Sequence, residues 1–115
     1  MKGIGGNITA TIQMKKTDRN LIGESVESWV DVHSQLGWID LVSGDSPSNF
    51  NTKLQESTHV FISDYFNYKS IGLTSDNSRM VVDGEVFQIT LIDDPMGMHE
   101  QIEILLKYIG GGLNG

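Results

Sequence analysis

The sequence predicts a small all-β protein: an antiparallel β-barrel of about six strands, with one long loop bearing a short helix. Three observations lead there. Apolar residues recur at every second position in several short stretches, Asp83-Gly84 sits between two apolar runs, and the chain carries 13 glycines against two prolines. Alternation at period two marks a strand with one buried face. Glycine supplies the positive backbone torsions that tight turns between strands require.

The elements follow in order. Ile8, Ala10, Ile12 and Met14 alternate with Asn7, Thr9, Thr11 and Gln13 in the first strand, which the polar run Thr17-Asp18-Arg19-Asn20 ends in a turn before Gly23. A long β-prone stretch spans 26–42. Val26, Ser28, Val30 and Val32 read as one face, with Trp29, Asp31 and His33 on the other. A bulge near Gly37 is expected to shift the phase before Trp38-Ile39-Asp40-Leu41. Residues 44–57 are polar apart from Phe50 and Leu54. Ser46 as cap and Pro47 at the first position would open a short helix with those two apolar residues at i,i+4. Excursions of this length between strands tend to be functional.

Thr58-His59-Val60-Phe61-Ile62 reads as a third strand ending near Asp64, and 65–78 as an irregular stretch anchored by Tyr65, Phe66 and Tyr68. Asp83-Gly84 then turns a hairpin between 79–82 and 85–92, with Phe87, Ile89 and Leu91 facing the core. Asp93-Asp94-Pro95 and Gly97 make another turn. The last strand points Ile102, Ile104 and Leu106 inward and Gln101, Glu103 and Lys107 outward, with Leu105 off the pattern. Val86, Ile92, Leu105 and Ile109 are expected on the surface, to be covered by assembly. The whole chain, 1–115, reads as a single domain with flexible ends at about 1–6 and 110–115.

Composition narrows the functions. The net charge is −7, and the eight basic residues are scattered, with only Lys15-Lys16 adjacent. That balance opposes binding by phosphate neutralisation. The chain has no cysteine, which excludes disulfides, thiolate metal sites and cysteine nucleophiles. The segment Met1 to Gly6 lacks the apolar run of a secretory signal, and no stretch approaches the roughly 20 apolar residues of a membrane span. The expectation is a soluble product of the cytoplasm with no membrane partner.

Catalytic and metal-binding patterns are weak. His33, His59 and His99 match no local zinc spacing, and Asp93-Asp94 with Glu100 lacks the alternating ligands of a calcium loop. No serine lies in a Gly-x-Ser-x-Gly elbow. Gly3-Ile4-Gly5-Gly6 precedes a strand, whereas a dinucleotide loop follows one and opens a helix. Neither a cofactor, a metal nor an enzymatic activity is expected. Trp29, Trp38, Tyr65, Phe66 and Tyr68 offer rings on which single-stranded nucleic acid stacks, but only Lys69 lies near them in sequence. Core packing or subunit contact accounts for them better.

Four stretches in succession resemble the head closure proteins of tailed bacteriophages, also called head–tail joining, head completion or stopper proteins. The first is the amino-terminal strand followed by Glu27-Ser28-Trp29-Val30-Asp31-Val32. The second is Trp38-Ile39-Asp40-Leu41-Val42-Ser43-Gly44, and the third is Ser57-Thr58-His59-Val60-Phe61-Ile62-Ser63-Asp64-Tyr65. The fourth runs from Ser78 to Ile89 through Asp83-Gly84, with Asp93-Asp94-Pro95 after it. Asp64-Tyr65 stands where that family often has an arginine–tyrosine pair, and the excursion after Gly44 is more polar than its pattern.

The resemblance implies a structural virion protein, made in the host cytoplasm and placed at the head–tail junction. It would form a ring of roughly six or twelve copies, with a portal or adaptor protein above and a tail terminator or other tail protein below. The ring would close the channel over packaged double-stranded DNA and offer the tail a docking face. Asp45, Ser46, Pro47, Asn49, Phe50, Asn51 and Glu56 would form the channel loop, and Gly110, Gly111, Gly112 and Leu113 a docking tail. An acidic surface suits transit of DNA better than a basic one. Two alternatives stand beside this reading: a tail terminator or other tail β-protein, and, from another class, a barrel that binds single-stranded nucleic acid.

Overall fold

Strands come first because the alternating stretches can hide their apolar faces only by pairing. The computed structural model describes residues 3–41 and 57–111. Its strands are β1 (Ile8–Arg19), β2 (Ser25–Leu41), β3 (His59–Asp64), β4 (Ser78–Val82), β5 (Glu85–Asp93) and β6 (Gln101–Gly111). A one-turn helix, α1 (Tyr68–Ile71), lies between β3 and β4, and a 3-10 turn, Pro95–Gly97, between β5 and β6. All pairings are antiparallel and the sheet closes on itself in the order β1-β2-β3-β6-β5-β4. The expected small antiparallel barrel is therefore present.

The interior is filled from five of the six strands, while β2 adds only the partly buried Val32 and Ile39. Ala10, Ile12, Phe61, Met80, Phe87, Ile89, Ile102, Ile104 and Leu106 form the core, joined by Phe66 and Leu73 from the segment around α1. Each large buried side chain contributes about 1.5–3 kcal/mol relative to exposure. Asn67 caps α1 by accepting from the Ser70 N–H, and Gly72, at φ +84°, ends it. Tyr65, Tyr68 and Ile71 pack against the core from this segment. The Asp83-Gly84 turn has positive φ at both residues, the geometry that fits the twist of a two-residue hairpin.

Three bulges displace the simple alternation. Val32 is the extra residue in β2, where the register passes from Ile12↔His33 to Gln13↔Asp31. Gly37 is not the bulge: β2 runs through it, and it is required by packing. A Cβ there would lie 2.5 Å from Phe61 Cζ and 2.6 Å from the Ile62 carbonyl oxygen. In β5, Thr90 is extra, so Ile89 and Thr90 are both buried while Leu91 turns half outward. Thr90 Oγ1 then satisfies itself by donating to the Leu105 carbonyl. In β6, Ile109 falls between Tyr108↔Phe87 and Gly110↔Val86, and is left exposed.

Several expectations change accordingly. Val86 and Leu105 are buried and Ile92 packs against the core, so of the four proposed surface residues only Ile109 is well exposed. The run 17–20 is not a turn, because β1 continues to Arg19. Residues 3–6 are tied down: the Asp64 carboxylate accepts from the N–H groups of Ile4 and Gly5, Trp38 Nε1 donates to the Ile4 carbonyl, and Asn7 N donates to Gly37 O. Gly110 and Gly111 are not a free tail but the end of β6, paired with Val86 and Glu85. The expected helix at Ser46-Pro47 lies outside the described residues.

Candidate functional site

The most conspicuous feature is an arm. β4 accompanies β1 only from Thr11 to Met14, and β3 accompanies β2 only from Gly37 to Leu41. Past Lys15, whose N–H still donates to the Asn77 carbonyl at 2.8 Å, β1 and β2 pair with each other alone, as far as Arg19↔Ser25. The turn at the tip is built by Asn20, whose Oδ1 accepts from the N–H groups of Ile22 and Glu24, and by Gly23 at φ +84°. This construction leaves Leu21 and Ile22 in solvent, 106% and 79% exposed. Val26 and Val30 are exposed along the same ribbon. The arm helps to stretch the molecule to 50 Å against 31 and 25 Å in the other directions.

Where the arm leaves the barrel, a polar and aromatic cluster lies on the outer wall. Trp29 pairs across the ribbon with Lys15, while Gln13, Arg79 and Gln88 form a row across β1, β4 and β5 that continues to Lys107 on β6. The Arg79 guanidinium lies over the Trp29 ring, its carbon 4.3 Å from the centroid, and Lys15 Nζ approaches the same ring to 5.7 Å. Arg79 Nε donates to Gln13 Oε1 at 2.7 Å, and Gln13 Nε2 donates to Asp31 Oδ1 at 2.8 Å. Gln13 is thus buried on the outside of the barrel, under Arg79 and Trp29, with both ends of its amide satisfied.

A neutral amide therefore stands between Arg79 and its nearest bonded acid. Lys15 has Glu27 at 3.9 Å, but Arg79 forms no ion pair among the described residues. Desolvation pulls its pKa below the usual arginine value, yet the group stays charged at any physiological pH. The cluster borders a cavity of about 320 Å³ lined also by Ser75, Asp76, Ser78 and Ile109. Sequence reasoning missed this pairing because Trp29 and Arg79 are far apart in the chain. Trp29 does have basic neighbours, which the sequence alone did not show.

A second group sits near the amino-terminal lead-in. Asp94, itself almost buried, holds His99 by both its ring Nδ1 (2.8 Å) and its backbone N–H (3.0 Å), and the His99 ring tilts against Tyr65 at 4.6 Å. His33 stacks on Phe66 at 4.3 Å, and His59 meets Phe87 edge-on at 5.0 Å. The three histidines are thus each engaged with an aromatic ring. Among the described residues no three of His, Cys, Asp and Glu converge in a way that would hold a metal ion.

Of the residues assigned to the channel loop, Asp45, Ser46, Pro47, Asn49, Phe50, Asn51 and Glu56 lie outside the described residues, as do Gly112 and Leu113 of the proposed docking tail. Trp38, partly exposed on β2, is tied to the lead-in through its indole N–H. No helix among the described residues is long and apolar enough to cross a membrane.

No protein-family model matches the chain, and no curated protein matches it either. Among solved structures, the solution structure of protein SF1141 from Shigella flexneri 2a is similar, with a TM-score of 0.69 and 23% identity over 90% of this chain and 93% of that one. At that identity the likeness speaks for the fold, and the fold it supports is the barrel described above.

Proposed function

We propose that the chain is a structural virion protein of a tailed bacteriophage that forms a ring in the head–tail connector, closes the DNA channel after packaging and presents a docking face to the tail. The observation that carries this reading is the arm. A two-stranded ribbon without further neighbours is marginally stable in water, and one that ends in Leu21 and Ile22 suits contact with another protein surface. The resemblance of four successive stretches to head closure proteins supplies the identity of that setting, and the small barrel is compatible with it. Portal or adaptor protein would lie above, and tail terminator or tail protein below.

Labelling tests the reading. Antibody raised against this chain is expected to mark the head–tail junction of intact particles in electron micrographs. Particles assembled without the chain are expected to carry filled heads that lose DNA and lack tails. Label on the tail tube or tail end instead would favour the tail-protein alternative, and tailed, full particles lacking the chain would refute the assignment.

A second reading draws on the Trp29 cluster, because an aromatic ring beside Arg79 and Lys15 is the combination that single-stranded nucleic acid uses. Against it, Arg79 already covers a face of the ring where a base would stack, and the chain is strongly acidic. Salt-sensitive retention of single strands on a filter would revive it.

A further inference from the structure

Two flanks of the barrel carry complementary surfaces. In a closed ring ordered β1-β2-β3-β6-β5-β4, the β4–β1 seam and the β3–β6 seam are diametrically opposed, three strands apart in either direction. Around the first seam stand Lys15 and Arg79, two of the chain's eight basic residues, set with Asp76 about the crook between arm and wall, whereas Lys107 lies on β6 at the other seam. Across the second, Trp38, Ile62 and Glu103 form one cross-strand row on β2, β3 and β6. Asp40 follows Trp38 on the same outward face. Phe61, Ser63, Ile102 and Ile104, the alternate residues, point into the core, which fixes this row as outward.

We propose that these flanks are the two halves of one contact between copies of this chain: the Arg79–Trp29 crook of one protomer receives the Trp38–Asp40–Glu103 wall of the next. The inference rests on the ring-forming role proposed above and names its partner and surface.

Charge and shape favour a second copy as the occupant. Arg79 lies over Trp29 and is fixed at Nε by Gln13, so its terminal nitrogens are pre-set for a carboxylate without the loss of side-chain freedom that a loose arginine incurs. The cavity beside it, about 320 Å³, has room for a side chain. A chain with 15 acidic residues carries the complementary group on its own opposite wall, beside a half-exposed tryptophan. Tryptophan and arginine are the residues that most often dominate protein interfaces. Contacts between different faces of identical subunits propagate head to tail and close into rings when the rotation allows. An acidic partner of another kind would need only the crook and would leave the wall without a role.

Mixing variants of the full chain decides it. Arg79→Gln keeps the wall and loses the charge of the crook, while the double variant Asp40→Lys/Glu103→Lys keeps the crook and reverses the wall, and the two altered surfaces do not complement each other. Sedimentation over a concentration series should show the unmodified chain forming species larger than a dimer. Each variant alone should associate at least about tenfold more weakly, and an equimolar mixture should stop at a one-to-one dimer. Circular dichroism establishes that each variant is folded, and Arg79→Ala replaces Arg79→Gln if the latter is not. An unmodified chain that stays monomeric at millimolar concentration, an Arg79 variant that assembles normally, or a mixture that remains monomeric would each overturn the contact. The labelling experiment is independent. A chain found at the junction whose Arg79 variant assembles normally loses only this contact, and one that assembles as stated but is absent from virions loses only the functional assignment.

Discussion

Gly37 shows how one residue with no side chain governs a crowded place. Phe61 packs on it from inside the barrel, and the backbone of Gly6 crosses it so closely that a Cβ on Gly6 would collide with Gly37 main-chain atoms. Replacing it with alanine forces the Phe61 ring or the β2–β3 ladder to move. Overpacking of this kind costs about 1–3 kcal/mol. Gly37→Ala should therefore lower the midpoint of urea unfolding by an amount equivalent to that loss with the slope unchanged; an unaltered midpoint would show that the site relaxes freely. At this scale the sequence is only partly legible. A glycine inside a strand pattern signals either a bulge or a close approach, and here the aromatic partner, on another strand, decides for close approach. The bulge lies instead at Val32, where nothing in the residue type announces it. Arg79 and Trp29 are hidden for the same reason: their meeting depends on the β1–β4 seam, and no local spacing records it.

Among the elements, β1 and β2 outrun their other neighbours, 12 and 17 residues against five in β4 and six in β3. That mismatch creates the arm. Local alternation places strands well, and all six were readable in the sequence, including the Asp83-Gly84 hairpin and the inward Ile102, Ile104 and Leu106. It does not reveal which stretches of a strand lack neighbours, so nothing in the face shared by Val26 and Val30 tells that they stand in solvent. Alternation does put Val86 and Leu105 on the outer side, opposite Val81 and Val60, but both are covered there without joining the core cluster, which strand periodicity alone does not reveal. The ribbon and the barrel should differ sharply in local stability. Amide hydrogens of Lys16, Asp18, Val26 and Ser28 are expected to exchange with deuterium in the free protein at least about a hundredfold faster than those of Ile102, Ile104 and Leu106, measured by NMR. Equal protection would mean that the arm is already covered.

For the whole molecule, closure depends on pairings distant in the chain. Ile12 meets Met80 and Phe61 meets Ile104, separations of 68 and 43 residues by subtraction. Bringing such segments together costs loop entropy before packing returns it, so barrels dominated by non-local pairs fold slowly. Refolding followed by tryptophan fluorescence should occur in roughly milliseconds to seconds; completion within microseconds would contradict a closure-limited route.

The arm also changes what a rigid barrel can accommodate. From Met14 to Leu21 the ribbon extends about 23 Å at roughly 3.3 Å per residue, with the Val32 bulge at its root. It acts as a lever on that fulcrum. A rotation of about 10° at the root swings the tip by about 4 Å, given that length. Identical subunits can thereby meet neighbours whose spacing or symmetry does not match their own, taking up the difference in the ribbon while every core contact stays in place.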